Sequence, residues 1–395
     1  MSSFFSKAQQ RADFHCSYRL SVFLLVCLCT SAWAQDTPPV TVTAAYTMEN
    51  EEFHDSSGTN TQQIGLTELG LLFHTIQGLQ KIELDARLVN YQYLGGTGQN
   101  HTEANYTAGW QWAVTPRLRG NLEASQQEAP RADAISGVGN MPNRQTQTHS
   151  RADAEYEVDG PWHVVAGVGQ DQHSSQYATP NTTDSRSDSR DLGLRYDFAT
   201  GSWIKFSIRS ADGRYLIGAN ADGESYQQKE QDLRLRWSLS SASSIDLYLT
   251  QVERTHQRNT QFDFNGLNYG ANASWELSGR STLVLAYAHD LGILLATPGW
   301  FTEQDSLSWG WNWQTSSRTQ LRIRQALQRL DYRTPLAASF DSYVDNSHDS
   351  SLSLVWTPGA QWQISAALQQ QAHGSSLVGQ DYRSQQISLT AQFSY

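Results

Sequence analysis

Cysteine is almost missing from this chain. Its three copies, Cys16, Cys27 and Cys29, all stand within the first 34 residues. That segment reads as an export signal, with Lys7, Arg11 and Arg19 ahead of the apolar run "LSVFLLVCLC" and the small-residue site Ala32-Trp33-Ala34. The expected cut leaves Gln35 first. The run is too short to cross a bilayer as a helix, and Val26 and Leu28 stand where a lipidated cysteine needs a small predecessor. Beyond the signal no thiol remains, which excludes disulfides, cysteine-held metals and cysteine nucleophiles. Positive charge is also scarce. The chain has 28 Lys+Arg against 39 Asp+Glu, and setting aside the signal's three bases and Asp13 takes the formal net charge from −11 to −13. Such a chain is a poor partner for nucleic acid.

Helical periodicity and interdomain linkers are missing too. No amphipathic 3.6-residue pattern occurs after the signal. The stretches poorest in apolar residues, "QQEAPRADAISGVGNMPNRQTQT" and "HSSQYATPNTTDSRSDSR", read as long loops within one domain spanning residues 35–395.

What the sequence has instead is alternation. "VTVTAAYTM", "KIELDARL", "RADAEYEV" and "DLGLRYDF" place an apolar side chain at every second position, the period of a β-strand. About eighteen such segments follow one another at roughly 20 residues each. Short turns such as "IQGL", "DGP", "ATGS", "SGRS" and "TPGA" alternate with long polar connections. The expected fold is an all-β transmembrane antiparallel up-and-down barrel in the bacterial outer membrane. A soluble sandwich or propeller shows alternation as well. Two features argue against both: the apolar faces are free of charge at mid-strand, and Trp112, Tyr156, Trp162, Phe198, Trp237, Trp275, Trp313, Trp356 and Trp362 gather near the short turns, as an interfacial girdle does. The closing segment "QQISLTAQFSY" is expected to pair with the first strand, with Ile387, Leu389, Ala391, Phe393 and Tyr395 facing lipid. Its terminal aromatic resembles the signal read by the barrel-assembly machinery.

Parity then assigns the inward face. Acidic candidates are Glu83, Asp85, Asp153, Glu155, Glu157, Asp191, Asp197, Asp232 and Asp246. The basic candidates Arg195, Lys205, Arg209, Arg234 and Arg236 fall on three neighbouring strands, and Arg318, Arg322 and Arg324 on another. Either these charges pair across strands in a wet lumen, or the basic runs favour anionic solutes. Tyr91, Tyr93 and Tyr248 are inward aromatics that offer contacts to sugar rings or simply pack. Catalytic patterns are lacking. Asp153, Glu155 and Glu157 lie two apart on one strand and cannot flank a bond from opposite sides. His163, His173, His256 and His289 belong to no hydrolase triad or zinc spacing. Residues 184–191 and "NADGE" read as solvated acidic loops, with cation binding the lesser alternative. No enzyme, cofactor or metal is expected.

The stretches "KIELDARLVNYQY", "GWQWAVTPRLRGNLEAS", "DAEYEVDGPWHVVAGVG" and "VERTHQRNTQFDFNG" resemble the EpsL-type outer-membrane proteins of exopolysaccharide operons, a group of β-barrel porins. That resemblance implies export of an extracellular polysaccharide, with outer-membrane lipid around the barrel and periplasmic and inner-membrane export proteins as partners. The residues alone leave open a general diffusion porin, a plugged surface scaffold or adhesin, and a barrel hydrolase of lipid or glycan.

Overall fold

In the computed structural model, the residues described are 39–56, 58–95, 100–130, 144–176, 184–217, 224–260, 263–293, 301–333 and 343–395. The expected signal, residues 1–34, lies outside them. The chain forms eighteen strands: β1 (Val40–Asp55), β2 (Gly58–Gln77), β3 (Gln80–Gly95), β4 (His101–Thr115), β5 (Leu118–Pro130), β6 (Arg144–Asp159), β7 (Trp162–Ser175), β8 (Asp184–Asp197) and β9 (Trp203–Ile217) make the first half. The second half is β10 (Ser225–Ser240), β11 (Ser243–His256), β12 (Phe264–Ser278), β13 (Ser281–Ile293), β14 (Phe301–Gln314), β15 (Thr319–Arg333), β16 (Tyr343–Trp356), β17 (Trp362–Ser375) and β18 (Tyr382–Ser394).

Each strand pairs antiparallel with its sequence neighbours, and β18 returns to β1, which closes the sheet. The seam runs from Thr43 opposite Ser394 to Asp55 opposite Tyr382, and Val42 and Tyr395 exchange both backbone hydrogen bonds at 2.8 and 2.9 Å. No edge is left to be solvated, the condition for a sheet in hydrocarbon. The short turns stand where their residues predict. Gly160, between β6 and β7, has φ +52, a left-handed conformation that glycine adopts without strain.

The register fixes an outward apolar face. On β18 it carries Ile387, Leu389, Ala391 and Phe393, with Ile387 and Leu389 57% and 58% exposed. Tyr156, Trp162, Phe198, Trp237, Trp275, Trp313, Trp356 and Trp362 are all exposed beside the short turns, and Trp112 leans over the site of Gly120. These rings form the expected girdle. A continuous belt of exposed leucines and other large apolar side chains is stable only where the surrounding medium is itself apolar.

Two expectations need correction. Strands of 13 to 20 residues are longer than the 9–11 or so that cross the hydrocarbon, and the excess lies toward the long connections. Residues 126–130 and 144–148, expected as loop, are the ends of β5 and β6, and residues 173–175 and 184–191 belong to β7 and β8. Residues 184–191 are therefore no cation-binding loop. Above the hydrocarbon both faces of a strand meet water, so hydropathy no longer marks it. The outward face also turns charged there, at Arg186, Asp188 and Arg190 on β8 and Lys229 on β10.

Opposite parity should give opposite tolerance. Leu389→Arg, on the lipid face, is expected to cost about 2–4 kcal/mol, whereas Ser388→Arg, facing the lumen, should change stability by about 0.5 kcal/mol or less. Denaturant titration of barrels folded into vesicles measures both.

Candidate functional site

The inward face encloses the candidate site. Among the described residues, tertiary contacts between strands follow the ring, and no described segment crosses it. Barrels of this strand number leave an aqueous channel unless a loop fills it.

One wall is a network of paired charges. Arg195 donates to both oxygens of Asp197 (2.6 Å each) and to Glu155 (2.9 Å), and Arg119 reaches Glu155 from β5 (2.5 Å). His163, 6% exposed, lies between Glu155 and Asp197 at 3.0 and 3.4 Å. Arg151 meets Asp191 (2.7 Å), Arg234 meets Asp232 (2.8 Å) and Arg236 meets Asp246 (2.6 Å). Arg209 stands 3.6 Å from both Asp171 and Glu230. The basic run of β8 to β10 is thus largely neutralised by its own wall, as the pairing alternative expects. Lys205 differs. It lies near Asp191 and Asp232 but forms no ion pair or hydrogen bond with a described residue.

The second basic run stands apart, with β11–β14 between it and the first. Arg318 sits in the turn before β15 and contributes no lumenal strand position. Arg322 donates to the neutral Gln320 (3.0 Å), with Asn312 and Ser353 directly opposite on the adjacent strands. Arg324 faces Gly310 and Ser351. No carboxylate stands directly across from either. Farther round, β17 and β18 line the lumen with Gln363, Ser365, Gln369, Gln386, Ser388, Thr390 and Gln392, an uncharged hydroxyl and amide wall. Over the whole inward face, carboxylates outnumber cationic side chains.

Of the predicted aromatics, Tyr91 and Tyr93 face inward, but Tyr91 stacks on His101 at 4.4 Å, so one ring face is taken. Tyr248 donates to Asp290 at 3.0 Å. His289, read as rim or lumen, faces outward against Tyr269 and Asp305.

The sequence reading missed a larger aromatic set at the long-loop end of the lumen. Tyr332 stacks on Tyr343 at 4.0 Å, and Tyr382 stacks on His373 and Phe53 at 4.8 and 5.1 Å. Across the ring, the Arg254 guanidinium lies 3.9 Å above the Tyr226 ring, beside Tyr215, which is 2% exposed. Tyr226 rests where a side chain on Gly213 would stand, so a larger residue there would have to displace that ring. The signal was available: each of these rings occupies inward parity within a few residues of a strand's long-loop end.

At that rim, outside the membrane, Glu224 clasps the β11–β12 connection. Its carboxylate accepts from the backbone N–H of Arg258 (2.7 Å) and from the Arg258 guanidinium (3.1 Å) and Asn259 amide (3.3 Å). Burial works against the charge, but these donors outweigh it and hold the carboxyl below its usual range. No cluster able to hold a metal occurs among the described residues.

No family model matches the chain, and no curated protein does. Solved structures do. Over 90% of this chain and 99% of its own, the outer membrane protein OpdK of Pseudomonas aeruginosa superposes with a TM-score of 0.50 at 10% identity. OccK9 (OpdG) of the same organism gives 0.50 at 10% identity, over 90% of this chain and 98% of its own. OccK2 (OpdF) gives 0.52 at 14%, over 90% and 97%. The chain has the fold of an outer-membrane porin. With its apolar belt, that fold places it in the cell outer membrane in contact with lipid. The resemblance to EpsL-type proteins is corrected: the solved structures that share the fold are Occ-type outer-membrane porins. The polysaccharide cargo and the export partners implied by it fall with it.

A depressed carboxyl pKa contributes stability above its unfolded value, and that contribution is lost as pH falls through the folded value. Acidification below the ordinary carboxylate range is therefore expected to loosen residues 257–260 while the strands persist. Hydrogen exchange should show the same loosening at neutral pH in Glu224→Gln.

Proposed function

We infer that the barrel is a general diffusion porin, a water-filled channel passing small polar solutes across the outer membrane. The observation that carries this reading is the division of the ring: apolar outside, charged and hydroxylated inside, with no described segment across it. Selectivity follows from fixed charge. The excess of inward carboxylates favours small cations. Anionic groups on organic solutes find cationic partners at Lys205, which forms no ion pair with a described residue, and on β15 at Arg322, whose guanidinium bonds the neutral Gln320. The other basic candidates, Arg195, Arg209, Arg234 and Arg236, act as wall structure in this reading.

Purified protein in a planar bilayer is expected to show stepwise conductance with a mild cation preference in a salt gradient. Arg322→Gln with Arg324→Gln should raise the cation-to-anion permeability ratio by roughly twofold, leaving the folded barrel intact. A reconstituted protein that conducts nothing would rule out the open channel. An unchanged ratio in the double variant would remove β15 from selectivity.

A further inference from the structure

The outside of the barrel carries a concavity that the channel does not use. It lies over β13 to β18 and β1 toward the long loops and encloses about 900 Å³. Its floor includes Leu307 and Leu327 at the top of the apolar belt, and its upper part is lined by His54, Asp305, Arg329, His348, Asp381 and Arg383. The register points Arg329, His348, Arg383 and His54 outward with those leucines.

The carboxylates here are already engaged. Asp305 accepts from the Tyr287 hydroxyl (3.0 Å) and bonds His289 (2.9 Å), and Asp381 accepts from the backbone N–H of Ser375 (2.7 Å). The arginines are not. Arg329 stands near Asp305 without bonding to it, and neither Arg329 nor Arg383 forms an ion pair or hydrogen bond with a described residue. Other cations of the outer face are paired, Arg190 with Asp212 (3.7 Å) and Arg333 with Glu303 (2.9 Å), while Lys229 on β10 stands singly and not beside a second unpaired cation over a groove.

Height decides what these arginines meet. Arg383 stands ten residues along β18 from Phe393 in the girdle. At about 3.3 Å per residue and a tilt near 40°, that is roughly 25 Å, the full thickness of the apolar band. Arg329 stands eight residues from Leu321, the partner of Trp313, or roughly 20 Å up. Arg383 reaches the headgroup level of the leaflet opposite the short turns, and Arg329 starts about 5 Å below it, a distance its long side chain spans.

We propose that this groove binds a phosphorylated glycolipid of the outer leaflet, with Arg329 and Arg383 on its phosphates and the acyl chains descending past Leu307 and Leu327. Guanidinium groups pair with phosphate through two parallel hydrogen bonds, and basic pockets at a membrane interface are selective for anionic headgroups. A second copy of the barrel packed face to face on the groove would set the same arginines against each other. The proposal rests on the membrane reading of the outer face and is independent of what the channel passes.

The test is native mass spectrometry of the full-length folded barrel in neutral detergent, titrated with diphosphoryl lipid A, with the same glycolipid stripped of phosphate, and with inorganic phosphate. The wild type is expected to hold one diphosphoryl lipid A, at least tenfold more tightly than either other probe. Arg329→Ala with Arg383→Ala should weaken it tenfold or more, and Arg190→Ala should leave it unchanged. Heat-shifted gel mobility confirms that each variant is folded, and the double lysine variant should retain most of the binding. Equal affinity for the phosphate-free glycolipid, undiminished binding by the double alanine variant, an equal loss in Arg190→Ala, or a lipid-free dimer closed over the groove would each overturn the proposal. Insertion into phosphatidylcholine vesicles does not need the groove, so a barrel that inserts but fails to bind refutes the site and leaves the membrane reading standing.

Discussion

A backbone N–H or C=O left open in hydrocarbon costs several kcal/mol, and water is not there to satisfy it. The pairing of β18 with β1 meets that demand for the last two edges, from Thr43 opposite Ser394 to Asp55 opposite Tyr382. Everything else in the molecule hangs on this closure. Once the ring is shut, a slip of one residue at any hairpin would turn that strand's leucines into the lumen and its charges into lipid. Parity is thereby locked on all eighteen strands by one seam and eight tight turns.

Locked parity explains why the charged wall is so densely connected. Side chains two apart on one strand and directly across on the next converge on the same patch of lumen. Glu155 is met by Arg119 from β5 and Arg195 from β8, while Arg195 also holds Asp197 on its own strand. Each pair is partly wet, so its individual contribution is modest. Collectively the pairs hold the side chains against the wall and out of the lumen. The Ser, Thr and Gln wall of β17 and β18 needs no such compensation.

How much of this was legible depended on the range of the cause. Alternation and turn chemistry are local, so the strands, the short turns, the girdle and the inward position of Arg195 or Tyr91 could be read from a dozen residues at a time. Strand extent could not, because above the hydrocarbon residues such as 184–191 are polar on both faces. Nor could the difference between the two basic runs. Arg195 is neutralised by Glu155, forty residues away, and Arg322 faces Asn312 and Ser353 only because of the register across two hairpins. The mistaken family resemblance has the same root. Segments such as "KIELDARL" are written by the demand for an apolar outer and polar inner face, so unrelated barrels converge on them.

The strands overhang the hydrocarbon on the long-loop side, and the lumen wall continues there as a vestibule above the membrane. Its inner surface is where the aromatic rings stack: Tyr332 on Tyr343, Tyr382 between Phe53 and His373, Arg254 on Tyr226. In a wet vestibule these rings expose less apolar surface to water by stacking on one another than by standing free, and the stacking holds them flat against the wall. That end of the wall therefore presents ring faces and tyrosine hydroxyls beside single charges such as Arg254 and Asp345, apart from the denser charge network nearer the short turns.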